Sequence, residues 1–278
     1  MKKILLSLAA ASLALSATAQ TVYFEEDFEW LKPWVEAGDN KGKPAGNTIA
    51  ANDNDAYSPQ LTTSKVEDVT TLKALTDKGY DFLATCKAGK EPREAGKQIY
   101  LQDCYLKFGL TDYFSGITLP AMSTLGEGVT NEVSISFDWT SMRQGASKNF
   151  AYDKTKLVVI VKNAENEKQY EVESLNIEDN TAFKWFPTTV KLTGATLNKD
   201  TRISIRNADD QWPGSGTLRY FLDNIKVFAA DGSGVAGIEA EENAPVEYYN
   251  LQGIRVANPE NGLYIVKQGN KVTKRVIK

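Results

Sequence analysis

The stretch Leu218–Phe228, LRYFLDNIKVF, constrains this chain more than any other. In an extended strand Phe221, Asp223, Ile225 and Val227 share one parity, so three large apolar side chains and one acid are expected on the same face. Such a face needs a core to cover it, and the acid needs a partner, either backbone amides or a cation. The same alternation recurs upstream, where Val133, Ile135, Phe137 and Trp139 interleave with Glu132, Ser134, Ser136 and Asp138. Lys156–Val161 is a continuous apolar run of the kind a central strand carries. Gln169–Leu175, Phe186–Leu192 and Thr201–Asn207 complete the set, separated by turn residues at Asn163–Glu167, Asn198–Asp200 and Pro213-Gly214. This spacing predicts a mainly β fold, an antiparallel β-sandwich of jelly-roll type.

Towards the N-terminus, Val22–Leu31 alternates as a first strand, with Val22, Phe24, Phe28 and Trp30 sharing a face with Glu26, and Glu25, Asp27 and Glu29 on the other. Residues 36–60 form a polar loop rich in Gly, Asn, Asp and Pro, and its Asn52–Asp55 run is expected to be a solvated turn. Ser64-Lys65-Val66-Glu67 has the capping-box pattern, followed by Val66, Val69, Leu72 and Leu75 at helical spacing up to Gly79. One short helix over 65–78 is therefore predicted. Strands are also expected within Gln98–Gly109 and Tyr113–Leu119.

Both ends of the chain differ in kind from this domain. Two lysines, an apolar run from Ile4 to Leu15 and Ala17-Thr18-Ala19 make residues 1–19 a secretory signal, too short to span a bilayer. The expected sandwich then covers 20–230, a small-residue linker 231–237, and a short β unit 238–278. The mature protein is expected outside the cytoplasm, extracellular or on the cell surface, with the periplasm as the alternative.

Composition removes several classes of chemistry. A net charge of -4 and a pI near 5.2 disfavour nucleic acid or an anionic membrane as partner. With no histidine in the chain, Ser-His-Asp and Cys-His catalysis and His-ligated zinc are excluded. Cys86 and Cys104 are the only cysteines. In an exported chain they form either one bridge or two separate thiols. Trp34 and Trp212 sit among turn residues, and Asp209, Asp210 and Gln211 adjoin Trp212. Each indole either stacks on a sugar ring or pins its loop.

The Asp27-Phe28-Glu29 end of the first strand, Lys184-Trp185-Phe186 leading into Val190-Lys191-Leu192, the Thr201–Arg206 strand and the closing Phe221–Val227 together resemble the jelly rolls of extracellular carbohydrate-binding modules and galactose-binding-like domains. The resemblance covers 22–228 and implies a non-catalytic binder of glycan or another surface component. The alternative is a structural or adhesive envelope protein. It also implies a structural calcium held by a glutamate near the first strand and by Asp223. The motif points to Glu29 and parity points to Glu26, while the alternative for Asp223 is a carboxylate bonded to backbone amides. Tyr249–Gly253, Gly262–Val266 and the basic Lys271–Lys278 end resemble the C-terminal sorting domains of type IX secretion cargo in Bacteroidota, which implies a contact with that machinery. Glu25, Asp27 and Glu29 also resemble the acidic signature of laminarinase-type glycoside hydrolases, a third reading that requires all three on one strand face.

Overall fold

The computed structural model describes residues 21–37, 60–125, 132–144, 151–179 and 184–229, and, in the C-terminal unit, 246–250, 255–256, 259, 261–268 and 271–277. The predicted signal segment, most of the 36–60 loop and the 231–237 linker lie outside these residues. Contacts divide the chain into two compact units, Met1–Gly232 and Ser233–Lys278.

The first unit is an antiparallel β-sandwich. Its strands are β1 (Val22–Glu26), β2 (Lys65–Val66), β3 (Val69–Thr70), β4 (Asp81–Cys86), β5 (Ile99–Leu101), β6 (Leu106–Phe108), β7 (Tyr113–Thr118), β8 (Val133–Ser141), β9 (Arg143–Gln144), β10 (Ala151–Tyr152), β11 (Leu157–Lys162), β12 (Glu167–Glu171), β13 (Phe186–Lys191), β14 (Arg202–Asn207) and β15 (Tyr220–Ala229). One sheet has six strands in the order β13-β8-β15-β6-β5, with β1 also paired to β15; the other has five, in the order β12-β11-β14-β7-β4. Successive strands switch sheets from β7 to β8, β8 to β11, and β12 through β15, the jelly-roll habit. Val133, Ile135, Phe137 and Trp139 of β8 meet Leu157, Val159 and Val161 of β11 and Ile203 and Ile205 of β14 in one core. Burying each such side chain stabilises the fold by about 1.5–3 kcal/mol.

Three local expectations fail, each for a physical reason. First, β1 ends at Glu26 instead of running to Leu31. The Glu26 carboxylate accepts the Phe28 N–H at 2.6 Å, the Asp27 carboxylate accepts the Glu29 N–H at 3.1 Å, and Phe28 takes φ 53°. Acidic side chains thus take the amides that a longer strand would have given to its neighbour. A 3-10 turn (Glu29–Leu31) and helix α1 (Lys32–Ala37) follow. Glu25, Asp27 and Glu29 consequently do not share a strand face.

Second, the helix predicted over 65–78 is only α2 (Thr71–Asp77), capped by the Thr70 hydroxyl, which accepts the Lys73 N–H at 3.1 Å. The residues read as its first turn form the β2–β3 hairpin, with Glu67 and Asp68 both at positive φ, the signature of a two-residue type I′ turn.

Third, β15 is bulged. Asp223 pairs with Asp138 but Lys226 pairs with Ser136, so one residue is extra, and Asn224 sits at φ 50°. A bulge inverts parity. Tyr220 and Leu222 before it, and Ile225 and Val227 after it, all face the inter-sheet core. Phe221 and Asp223 face outward, where Phe221 packs with Tyr105, Met142 and Trp185.

In the second unit, β16 (Val246–Tyr249), β17 (Arg255–Val256), β18 (Gly262–Gln268) and β19 (Lys271–Ile277) form one antiparallel sheet in the order β17-β16-β18-β19. Tyr248 and Tyr264 meet edge to face at 6.5 Å.

Candidate functional site

The bulge sets the surroundings of Asp223. Its carboxylate accepts the Asn224 N–H at 2.8 Å, and the Asn224 amide donates to Asp138 at 2.8 Å. Desolvation by burial, reinforced by the charges of Asp138, Glu29 and Asp27 against the favourable Asn224 amide, pushes the Asp223 carboxyl up to about 7. Glu29 therefore lies in the electrostatic neighbourhood of Asp223. Glu26 is held by different partners: the Phe28 amide, the Trp30 indole N–H at 3.1 Å and the Tyr80 hydroxyl all donate to it. Burial, then the bond to Glu26 and its charge, hold the Tyr80 phenol protonated. Among the described residues no three acids or thiols converge in a metal-binding arrangement.

The two indoles singled out in the sequence lie apart. Trp34 donates to the Val69 carbonyl at 3.1 Å and meets Trp30 edge to face at 6.1 Å. Trp212 lies under Arg206, whose guanidinium is 5.1 Å from the ring centre. Around Trp212 the polar side chains are already engaged. Asp209 accepts from Arg206 at 2.6 Å and from Gln169 at 3.0 Å, Asp210 pairs with Lys156 at 2.6 Å, and Gln211 bonds the backbone of Lys154 and Lys156 at 2.8 Å. Arg206 and Gln169 hold the Asp209 carboxyl below the usual range.

The bond from Gln169 to Asp209 leads to an open cleft of about 560 Å³ between β12 and β13, the facing edge strands of the two sheets. Its β12 side carries Gln169, Tyr170, Glu171 and Glu173; its β13 side carries Pro187 to Lys191, where the Thr188 hydroxyl accepts the Trp139 indole N–H at 3.1 Å and donates to the Phe186 carbonyl at 3.2 Å. Tyr170 is fixed by its hydroxyl, which donates to the Thr193 carbonyl at 3.1 Å. None of these lining residues was among the ligand contacts expected from the sequence. Both segments look like ordinary strands there, and an edge becomes visible only when sheet order is known.

On the outer face of the six-stranded sheet, register aligns Tyr100, Lys107, Phe221 and Thr140 in one row across four strands. Lys107 is fully buried, with its ammonium 3.9 Å from the Tyr100 ring centre. Tyr105 meets both Trp185, at 5.1 Å, and Phe221, at 5.8 Å, edge to face. The cysteines are two free thiols: Cys86 half-buried in β4, Cys104 buried between β5 and β6.

No protein-family model matches the chain, and no curated protein matches it. Among solved structures, it is similar to the CBM22-2 xylan-binding domain from Paenibacillus barcinonensis Xyn10C, at 10% identity over 74% of this chain and 99% of that one, with a TM-score of 0.31. A second likeness is to the CBM22-1 and GH10 modules of a Clostridium thermocellum endo-1,4-beta-D-xylanase complexed with xylohexaose, at 14% identity over 59% of this chain, with a TM-score of 0.29. It spans only 28% of that longer chain. A third is to an arabinose-bound GH51 α-L-arabinofuranosidase, at 14% identity over 54% of this chain and 22% of that one, with a TM-score of 0.28. The first two neighbours include carbohydrate-binding domains, and all three likenesses are weak.

Proposed function

We propose that this chain is an exported, non-catalytic β-sandwich that binds glycan. The observation that carries this reading is the cleft between β12 and β13. It combines a fixed aromatic ring at Tyr170 with hydroxyl, amide, carboxylate and ammonium groups from Thr189, Gln169, Glu171 and Lys191, a mixture suited to a polyhydroxylated ligand. Asp209, on the short segment that also carries Asp210 and Trp212, is tied to the cleft by its bond from Gln169. A glycoside hydrolase needs carboxylates on both sides of the scissile bond. Here Glu171 and Glu173 stand on one wall and the facing segment carries none.

Peptide-strand addition, the other use of such a cleft, is opposed on both edges. Pro187 removes a backbone donor from β13, and β12 carries Glu167, Lys168 and Glu171, the devices that guard an edge against pairing. Calorimetry of the mature chain against a glycan panel tests the proposal. Saturable binding lowered by Tyr170→Ala, Thr189→Arg and Trp212→Ala is expected. No binding to any glycan, or equal binding by all variants, overturns it in favour of a structural envelope role.

A structural calcium belongs to the same proposal. Asp223 is partly desolvated and feels the charges of Asp138 and Glu29, so a hard cation there would relieve their repulsion, taking most of its ligands from backbone oxygen or water because no three acids converge among the described residues. Glu26, already taking three donors, does not join it. The cation would neutralise the bulge, with backbone carbonyls or water completing its shell.

The division into two compact units favours a further reading, in which residues 238–278 are a sorting or anchoring module that engages the type IX secretion machinery. Deleting Ile238–Lys278 in the native bacterium should leave the protein in the periplasm. Normal surface display of the truncated chain overturns that role.

A further inference from the structure

The unpaired edges of a sandwich decide what other strands can join it. Most outer edges of the two main sheets are guarded. β12 carries Glu167, Lys168 and Glu171, β13 carries Pro187, and β1 carries Glu25 and Glu26. β5 is taken up by the Leu61 N–H, which donates to the Ile99 carbonyl at 3.1 Å. Among the described residues β4 is the exception. Between Asp81 at its start and Lys87 just past its end it reads Phe-Leu-Ala-Thr-Cys, uncharged and without proline, and Ala84 at its middle is exposed.

Parity tells which backbone groups of β4 face outward. The strand pairs with β7 from Asp81↔Thr118 to Cys86↔Tyr113, and one residue further on the Lys87 N–H donates to the Asp112 carbonyl at 2.9 Å. Backbone groups alternate sides along a strand, so Asp81, Leu83, Thr85 and Lys87 turn theirs to β7, while Phe82, Ala84 and Cys86 turn theirs away. The Phe82 N–H agrees, since it donates to the Asp81 carboxylate at 2.8 Å. Among the described residues no strand pairs with that outer side.

We propose that this edge pairs antiparallel with β4 of a second copy of the chain, about a two-fold axis at Ala84, so that two five-stranded sheets become one. Outward groups must meet outward groups, which sets Phe82 opposite Cys86 of the second copy and Ala84 opposite Ala84, each pair exchanging two backbone bonds. The same register sets Asp81 opposite Lys87 of the second copy, and symmetry repeats the pair at the other end. Both side chains are exposed, so opposite charges close each end of the joined strands. The Asp81 carboxylate is freed for this role because the Cys86 carbonyl of the second copy takes over the Phe82 N–H. Sliding the strands by two residues would instead set Asp81 against Thr85 and Lys87 against Gly79, which removes both charge pairs. A contact confined to one short strand is smaller than a standard interface, so the dimer is weak and dependent on concentration. β12 lies at the far end of the same sheet, so the β12–β13 cleft stays open in both copies.

Sedimentation equilibrium of the mature chain, from low micromolar to near-millimolar concentration, should show its mass rising towards that of a dimer. Asp81→Lys and Lys87→Asp each set like charges opposite one another at both ends and should weaken the dimer about tenfold without lowering the melting temperature. The double variant exchanges the charges and should recover the wild-type dissociation constant. Ala84→Lys, which sets two ammonium groups side by side at the axis, should abolish association. A chain that stays monomeric throughout overturns the proposal and leaves the edge to a strand from a different protein. A dimer that the single charge variants do not weaken, or that the double variant does not restore, overturns it in favour of another surface.

Discussion

Asp223 and Asp138 face each other across β15 and β8, with the Asn224 amide donating to Asp138 at 2.8 Å from the residue that bulges the strand. Because burial pushes the Asp223 carboxyl up from its ordinary 3.8 to about 7 in the folded protein, the native state binds the more protons between those values. Stability therefore falls as pH rises through that window. In chelator, Asp223→Asn should melt close to wild type at pH 4 and several degrees higher at pH 8. A parallel pH dependence of the two proteins would refute this account of the bulge. Added calcium should raise the wild-type melting temperature at pH 8 by mass action and leave Asp223→Asn unmoved; no wild-type response would leave Asp223 as a structural acid.

Tyr220 connects the two sheets. Its ring stacks on Phe108 at 4.9 Å, and its fully buried hydroxyl donates to the Ser115 carbonyl of β7 at 2.9 Å. Burial keeps the phenol protonated far above its ordinary range. Tyr220→Phe removes one buried donor while preserving the stack, so urea unfolding should show a loss of about 1–2 kcal/mol with an unchanged slope. An unchanged midpoint would mean that the bond contributes nothing net.

The thiols should behave differently. Burial, then the charges of Glu29 and Asp103, push the Cys104 thiol up to about 12, whereas Cys86 is half-buried in β4. A thiol reagent at pH 8 should label Cys86 in the folded protein and Cys104 only after denaturation. Denatured, unreduced protein with no reactive thiol would instead reveal a bridge.

Among the described residues the main hydrophobic core is formed by the first unit, and the second has a sheet of its own. A chain ending at Gly232 should therefore unfold cooperatively at the melting temperature of the full-length sandwich transition. A large drop would show that the two units share stability.

Much of the fold was legible in the chain because alternation is local. Val133 to Trp139 declares a half-buried strand whatever it pairs with, and the β18–β19 pattern around Gly269-Asn270 does the same. Where expectation failed, a side chain had captured a backbone amide: Glu26 ended β1 early, Thr70 started α2 late, and one extra residue at Asn224 turned Asp223 from the core to the outer face. Each involves only one or two residues, too few to register in a periodicity.

The sequence by itself determined the β class, the switch of character after Ala229, and the absence of histidine chemistry, because strand parity and composition need no partner to be read. Which strands became edges was decided only by tertiary structure. β12 and β13 border a cleft because each pairs on one side only, in different sheets, and pairing between segments distant in the chain is set by how both sheets close over a common core. The same closure brought Gln169 to Asp209 and Glu29 into the field of Asp223, relations between residues that no local pattern encodes.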